Sequence, residues 1–204
     1  MSLNRGTPRQ TWTAIRAMAV LTVILGIAYP LVITLIGQVA FPSKADGSLV
    51  TVNGQVAGST LIGQAFTDAD GNALPEWFQS RPSAAGAGYD SAASSGSNYG
   101  PENADLIAAI QARQAAISGL EGVPVSAIPP DAVTASGSGL DPDISPSYAL
   151  LQVPRVAEAR GLPESTVRAL VESMIQGRDL GFLGDPTVNV LTLNIALAEL
   201  GAGD

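Results

Sequence analysis

Between Ala17 and Gly37 the chain runs for 21 residues, AMAVLTVILGIAYPLVITLIG, without a charged side chain. At about 1.5 Å of rise per residue, a helix of that length covers roughly 31 Å, the thickness of a bilayer's hydrocarbon core. The stretch therefore reads as one transmembrane helix over 17–40, and it constrains everything that follows. Arg5, Arg9 and Arg16 precede it and no acidic residue does, so the positive-inside bias predicts a cytoplasmic N-terminus over 1–16 and an extracytoplasmic domain over 41–204. A cleaved signal sequence is the competing reading, with Ser43-Lys44-Ala45 as the cleavage site. A retained anchor fits better, because the run is longer than a signal's apolar region and Trp12 and Phe41 stand at its edges.

Within the span, Thr22, Gly26, Pro30 and Thr34 recur every four residues, and Ala19 and Gly37 extend the same stripe. A face of small residues lets a second helix approach closely in lipid, where packing drives association. Ordinary span composition with a kink at Pro30 accounts for the same residues.

The part beyond the span carries seven basic and 18 acidic residues, a net charge of about −11. That argues against nucleic acid and anionic headgroups as partners and would draw cations, while acidity that simply keeps an exposed domain soluble accounts for the same charge. Cysteine and histidine are both absent, which removes disulfides, thiolate chemistry, Ser-His and Cys-His nucleophile systems and nearly all zinc sites. The single lysine, Lys44, follows the span directly and no GxxxxGK[ST] occurs, so the chain has no machinery of its own for hydrolysing a nucleotide. Carboxylates are plentiful, but no spacing singles out a catalytic pair. The expectation is a non-catalytic chain with no cofactor or metal of its own.

Periodicity predicts an α+β domain. Ser48 to Val52 alternates before Asn53-Gly54, the signature of a hairpin, and Gly58 to Phe66 is expected to continue the sheet. Thr67 to Glu76 resembles a calcium loop superficially, but its glycine and glutamate positions are wrong for an EF-hand, so a plain acidic turn is expected. Trp77 to Pro82 reads as a short strand, and Gly88 to Pro101 has linker composition. A helix is predicted from Pro101 to Ser118, capped by Gly119, followed by extended chain over Val123 to Val133. A second Ser/Gly stretch, Thr134 to Pro146, echoes the first and leads into a helix stopped by Gly161 and kinked or broken at Pro154. Two such loops offer backbone N–H groups to anions or carbonyls to cations; turn chemistry explains the same residues. The clearest helix runs from Pro163 to Gln176, with Gly177 as its cap and a Glu164–Arg168 pair. A last helix carries Val190, Leu193, Leu197 and Leu200, with Asn189 and Asn194 unexplained by its apolar face.

Seven ordered segments carry a family resemblance: AYPLVITLIGQVAFP, GSTLIGQAF, QSRPSA, SAASSGSNYGP, VTASGSGLDPDISP, QVPRVAEARGL and LGFLGDPTVNVLTLNIAL. In this order, over nearly the whole chain, they resemble the C subunit family of the Kdp potassium-transporting ATPase. Thr67 to Glu76 looks longer than that family's usual turn. The resemblance implies an accessory subunit in a bacterial inner-membrane complex. Its partners there would be a channel-like potassium-binding subunit, a P-type ATPase subunit that uses ATP and magnesium, and a very small accessory subunit, with potassium as the transported ion. It also implies the family's description as a catalytic chaperone that raises the pump subunit's ATP affinity through a transient ternary complex. An outer domain meets no cytoplasmic ATP, so that effect would have to cross the membrane as a coupling between states.

Candidate partner contacts are Thr22, Gly26, Pro30 and Thr34 in the span and Arg81, Asn98, Ser136, Ser138, Asp141 and Asn194 outside it. Asp141 and Asp143 are the acidic residues assigned to a potassium entrance. A membrane-anchored ligand-binding module unrelated to transport is the alternative class.

Overall fold

A computed structural model describes residues 7–201 and divides the chain into two units, Met1–Leu49 and Val50–Asp204. Arg5, one of the three basic residues of the N-terminus, lies outside the described residues.

In the first unit, helical turns run without interruption through α1 (Thr7–Leu21), a π-helical segment (Thr22–Ala28) and α2 (Tyr29–Ala40). From Pro8 to Ala40 this gives 33 residues, long and apolar enough to cross a membrane, with none of its most apolar window buried. The expected kink at Pro30 takes the form of a widened turn just before it. Proline has no N–H to give the carbonyl of Gly26 and crowds it sterically; the π segment relieves this, with the Tyr29 N–H donating five residues back to Ile24. A short α3 (Pro42–Ala45) then turns back, where Gln38 Nε2 donates to Asp46 Oδ1 at 3.0 Å. These contacts keep residues 41–49 with the helix in the first unit.

The second unit is α+β with very little sheet. Strands β1 (Leu49–Val52) and β2 (Gln55–Ser59) form the expected hairpin, and Asn53 and Gly54 both adopt positive φ, 50° and 77°, as a two-residue turn of this hand requires. Of the stretch Gly58 to Phe66, only Gly58 and Ser59 lie in the strand, and the sheet does not continue beyond them. A second pair is made by β3 (Asp143–Ile144) and β4 (Val188–Asn189), antiparallel with Asp143 opposite Asn189.

Helix α4 (Ala104–Glu121) begins later than Pro101, because the Asn103 side chain accepts from the Asp105 and Leu106 N–H groups. It also passes through Gly119 and stops at Gly122, which takes the left-handed conformation. Val123 to Val133 is not extended throughout: it holds a 3-10 turn (Val125–Ala127) and α5 (Pro130–Val133). Helix α6 (Pro146–Arg160) continues unbroken through Pro154, an exposed residue flanked by Val153 and Val156, both wholly buried. Packing of that apolar face outweighs the lost hydrogen bond. Gly161 ends α6 as expected, and α7 (Glu164–Ser173) stops short of Gln176, whose backbone instead exchanges bonds with Thr187. Gly177 is therefore no cap. The core gathers Ala149, Val153 and Val156 of α6, Val167 and Val171 of α7, and Leu193 and Leu197 of α8 (Val190–Gly201), closed by Phe78.

Candidate functional site

The expected strand Trp77 to Pro82 belongs to no sheet, and the backbone of Phe78 and Gln79 is bonded by side chains instead. On Phe78, the N–H donates to Asn194 Oδ1 at 2.9 Å and the C=O accepts from Asn194 Nδ2 at 3.0 Å. On Gln79, the N–H donates to Gln152 Oε1 at 2.6 Å and the C=O accepts from Gln152 Nε2 at 3.2 Å. Two carboxamides, one from α8 and one from α6, thus stand where neighbouring strands would be, each supplying one donor and one acceptor. Arg155 completes the clamp. Its guanidinium donates to the carbonyls of Pro75 and Trp77, to Gln152 Oε1, and to Glu121 Oε1 of α4 at 2.9 Å. The Arg155 and Glu121 side chains are 8% and 1% exposed. Burial pushes the Glu121 carboxyl up, with Arg155 pulling against it, and Glu121 Oε2 has no hydrogen-bond partner. Beside this, the Arg160 guanidinium lies 4.2 Å from the centre of the Trp77 ring.

Next along the chain, Arg81 Nη1 meets Asp141 Oδ2 at 2.8 Å and Nη2 donates to the Thr134 carbonyl. Asp141 Oδ1 in turn accepts from the Asp143 N–H. Tyr89 donates its hydroxyl to the Arg81 carbonyl at 2.6 Å, and Gly63 passes so close that a Cβ there would meet the Tyr89 ring at 2.4 Å. The two Ser/Gly loops lie against each other: the Ser95 N–H and Ser94 hydroxyl both donate to the Ser138 carbonyl, and Ser83 donates to that of Gly139. Gly139 has φ 68°, and a Cβ on it would stand 2.5 Å from the Ser95 carbonyl. The groups proposed to greet anions or cations are thus spent on each other, and the linker composition of Gly88 to Pro101 serves a close loop-to-loop contact.

Of the outer candidates, the structure pairs Arg81 with Asp141 and, in the loop leading to Asp141, sets the Ser136 and Ser138 hydroxyls 3.4 Å apart. Asn98, in the neighbouring loop, is exposed with φ 53°. Asn194 is corrected: it is 2% exposed and wholly engaged with Phe78, which removes it from any partner surface. Thr22, Gly26, Pro30 and Thr34 are exposed on the membrane helix, and a Cβ on Gly26 would lie 3.8 Å from Thr22 Cγ2. Asp143 accepts from Asn189 Nδ2, and burial, more than the opposing Asn189 bond can offset, raises its carboxyl, with Asp141 adding to the rise. Asp141 and Asp143 therefore hold structure and are not free surface charges. Sequence reasoning missed Glu121, Gln152 and Arg155; polar residues inside the apolar stripe of α6 were the available signal.

The acidic turn is closed by Asp68, whose carboxylate accepts from the Asp70 and Asn72 N–H groups and from Asn72 Nδ2. Those bonds, the Asn72 side chain foremost, hold the Asp68 carboxyl below its ordinary value. Among the described residues, no group of three or more acidic side chains is placed to hold a metal ion.

The sequence model described as KdpC, the K+-transporting ATPase c chain, matches residues 11–199. The chain belongs to the KdpC family. It is 56% identical to the potassium-transporting ATPase KdpC subunit of Caulobacter vibrioides over 185 residues, 90% of each chain. With the KdpC subunit of Kineococcus radiotolerans it shares 52% over 189 residues, 93% of each. The Mycobacterium tuberculosis KdpC subunit is 50% identical over 193 residues, 94% of this chain and 99% of that one. A ligand-binding module unrelated to transport finds no support in these relationships.

Proposed function

We propose that this chain is a membrane-anchored accessory subunit of a Kdp potassium-transporting ATPase complex and contributes no catalytic group. The observation that carries the reading is the KdpC match across residues 11–199, which takes in both the apolar helix and the folded domain. The absence of histidine and cysteine from the sequence supports a structural rather than a chemical role. In this reading Arg9 and Arg16 keep the N-terminus in the cytoplasm and the domain lies outside. The small residues Thr22, Gly26, Pro30 and Thr34 pack against a channel-like subunit, while ATP and magnesium belong to a P-type partner.

The outer domain then works as a clamp on the assembled complex. The Arg81–Asp141 pair supports the face nearest the potassium entrance, and any influence on ATP affinity is indirect. Mild-detergent purification of the tagged full-length chain from potassium-starved cells tests this. Stoichiometric recovery of a P-type ATPase subunit and a potassium-channel-like subunit is expected, and recovery of the chain alone refutes it.

A further inference from the structure

Residues 178–185, RDLGFLGD, turn large apolar side chains into water: Leu180 is 82% exposed, Phe182 69% and Leu183 50%. The loop is closed at its neck. Gln176 and Thr187 exchange both backbone bonds, at 2.8 and 3.0 Å, and Asp179 and Leu183 exchange a second pair at 3.0 and 2.9 Å. Arg178 Nη2 clasps Asp185 Oδ1 at 2.8 Å across the base. Leu180 sits at φ 53°, a left-handed conformation that a bulky side chain resists. A strained backbone thus holds an apolar side chain away from the domain's own core, and among the described residues that side chain stays exposed.

We infer that this loop is a preformed knob that docks into an apolar pocket rimmed by basic side chains on another subunit of the ATPase complex. The inference rests on the proposed function. Charge selects a protein over a bilayer: the loop's one cation, Arg178, is neutralised by Asp185, which leaves Asp179 beside the tip as the uncompensated charge. An anionic lipid surface repels such a tip, whereas a basic rim attracts it. The closed neck favours a pocket of fixed shape, because a knob already ordered loses little freedom on docking and an aromatic anchor is the usual centre of such a contact.

The test places a photocrosslinker in the full-length chain, Phe182→p-benzoylphenylalanine, within the intact complex in native membranes. An adduct with another ATPase subunit is expected. An adduct with lipid or with a second copy of this chain, or none while the complex stays intact, overturns the inference. Independently, the double variant Leu180→Ser/Phe182→Ser alters only exposed positions. It should leave the purified complex about ten-fold faster than the unsubstituted chain, as loss of a central anchor predicts; an unchanged rate overturns the inference. If the unsubstituted chain brings down no ATPase subunit, the proposed function itself fails and the inference falls with it.

Discussion

From Pro8 to Ala40 the large apolar side chains all face outward, and the backbone satisfies itself turn by turn, even across the gap left by Pro30. From Val50 onward the arrangement is inverted. A core of apolar groups is buried, and because the two sheets are only two-stranded, the backbone of residues 75–79 is satisfied by carboxamide and guanidinium side chains reaching in from α6 and α8. In lipid, no outside group is available to rescue a backbone donor, so the helix must be self-sufficient and tolerates almost any apolar side chain. In the domain, single polar residues do the work of whole strands, so the domain is sensitive where the helix is not.

Removing the hub of the clamp should break this contrast most. Arg155→Met leaves Glu121 buried without its counter-charge, strips the Pro75 carbonyl of its donor, and removes one of two donors from the Trp77 carbonyl and from Gln152 Oε1. A loss of about 3–5 kcal/mol is expected in unfolding of the full-length chain in detergent. Asn194→Leu keeps the volume but orphans the Phe78 N–H and C=O, at about 1–3 kcal/mol each. Gly139→Ala forces a side chain into a left-handed backbone against the Ser95 carbonyl, for roughly 2 kcal/mol, with increased protease sensitivity in the 83–98 loop as a second readout.

A pH series sharpens the comparison further. Burial raises the folded-state value of Glu121, so its contribution to stability is present in full below the unfolded value and fades as pH rises through the folded one. The melting-temperature advantage of the unsubstituted chain over Glu121→Gln should therefore shrink as pH is raised upward from about 4; an advantage that grows refutes this assignment. At the small end, Arg168→Ala removes an exposed pair with Glu164 and should cost no more than about 0.5 kcal/mol.

Elements defined by local chemistry were legible in the sequence. The Asn53-Gly54 hairpin, the Gly161 stop and the apolar stripe of α7 depend on residues a few positions apart. The failures share a different cause. Trp77 to Pro82 forms no strand, and the partners of Phe78 and Gln79, Asn194 and Gln152, lie 116 and 73 residues away from the residues they bind. Gly119 and Gly122 are indistinguishable by type, and packing decided which of them took the left-handed cap. Among the outer candidates, Arg81 and Asp141 were both named, yet their pairing arises from loops 60 residues apart. The likeness of the two Ser/Gly stretches was visible, but not that Gly96 and Gly139 make room for the other loop's backbone.

The carboxamide clamp also sets an order in time. A ribosome makes the chain from its N-terminus, so residues 75–79 exist well before α6 and α8, the helices that supply their hydrogen-bond partners. Until α8 is complete the amide and carbonyl of Phe78 have only water to bond, and the core position of its ring stays open. The domain therefore closes late and cooperatively, on the arrival of its last helix, and a nascent chain halted before Asn194 should remain open to proteases around Phe78.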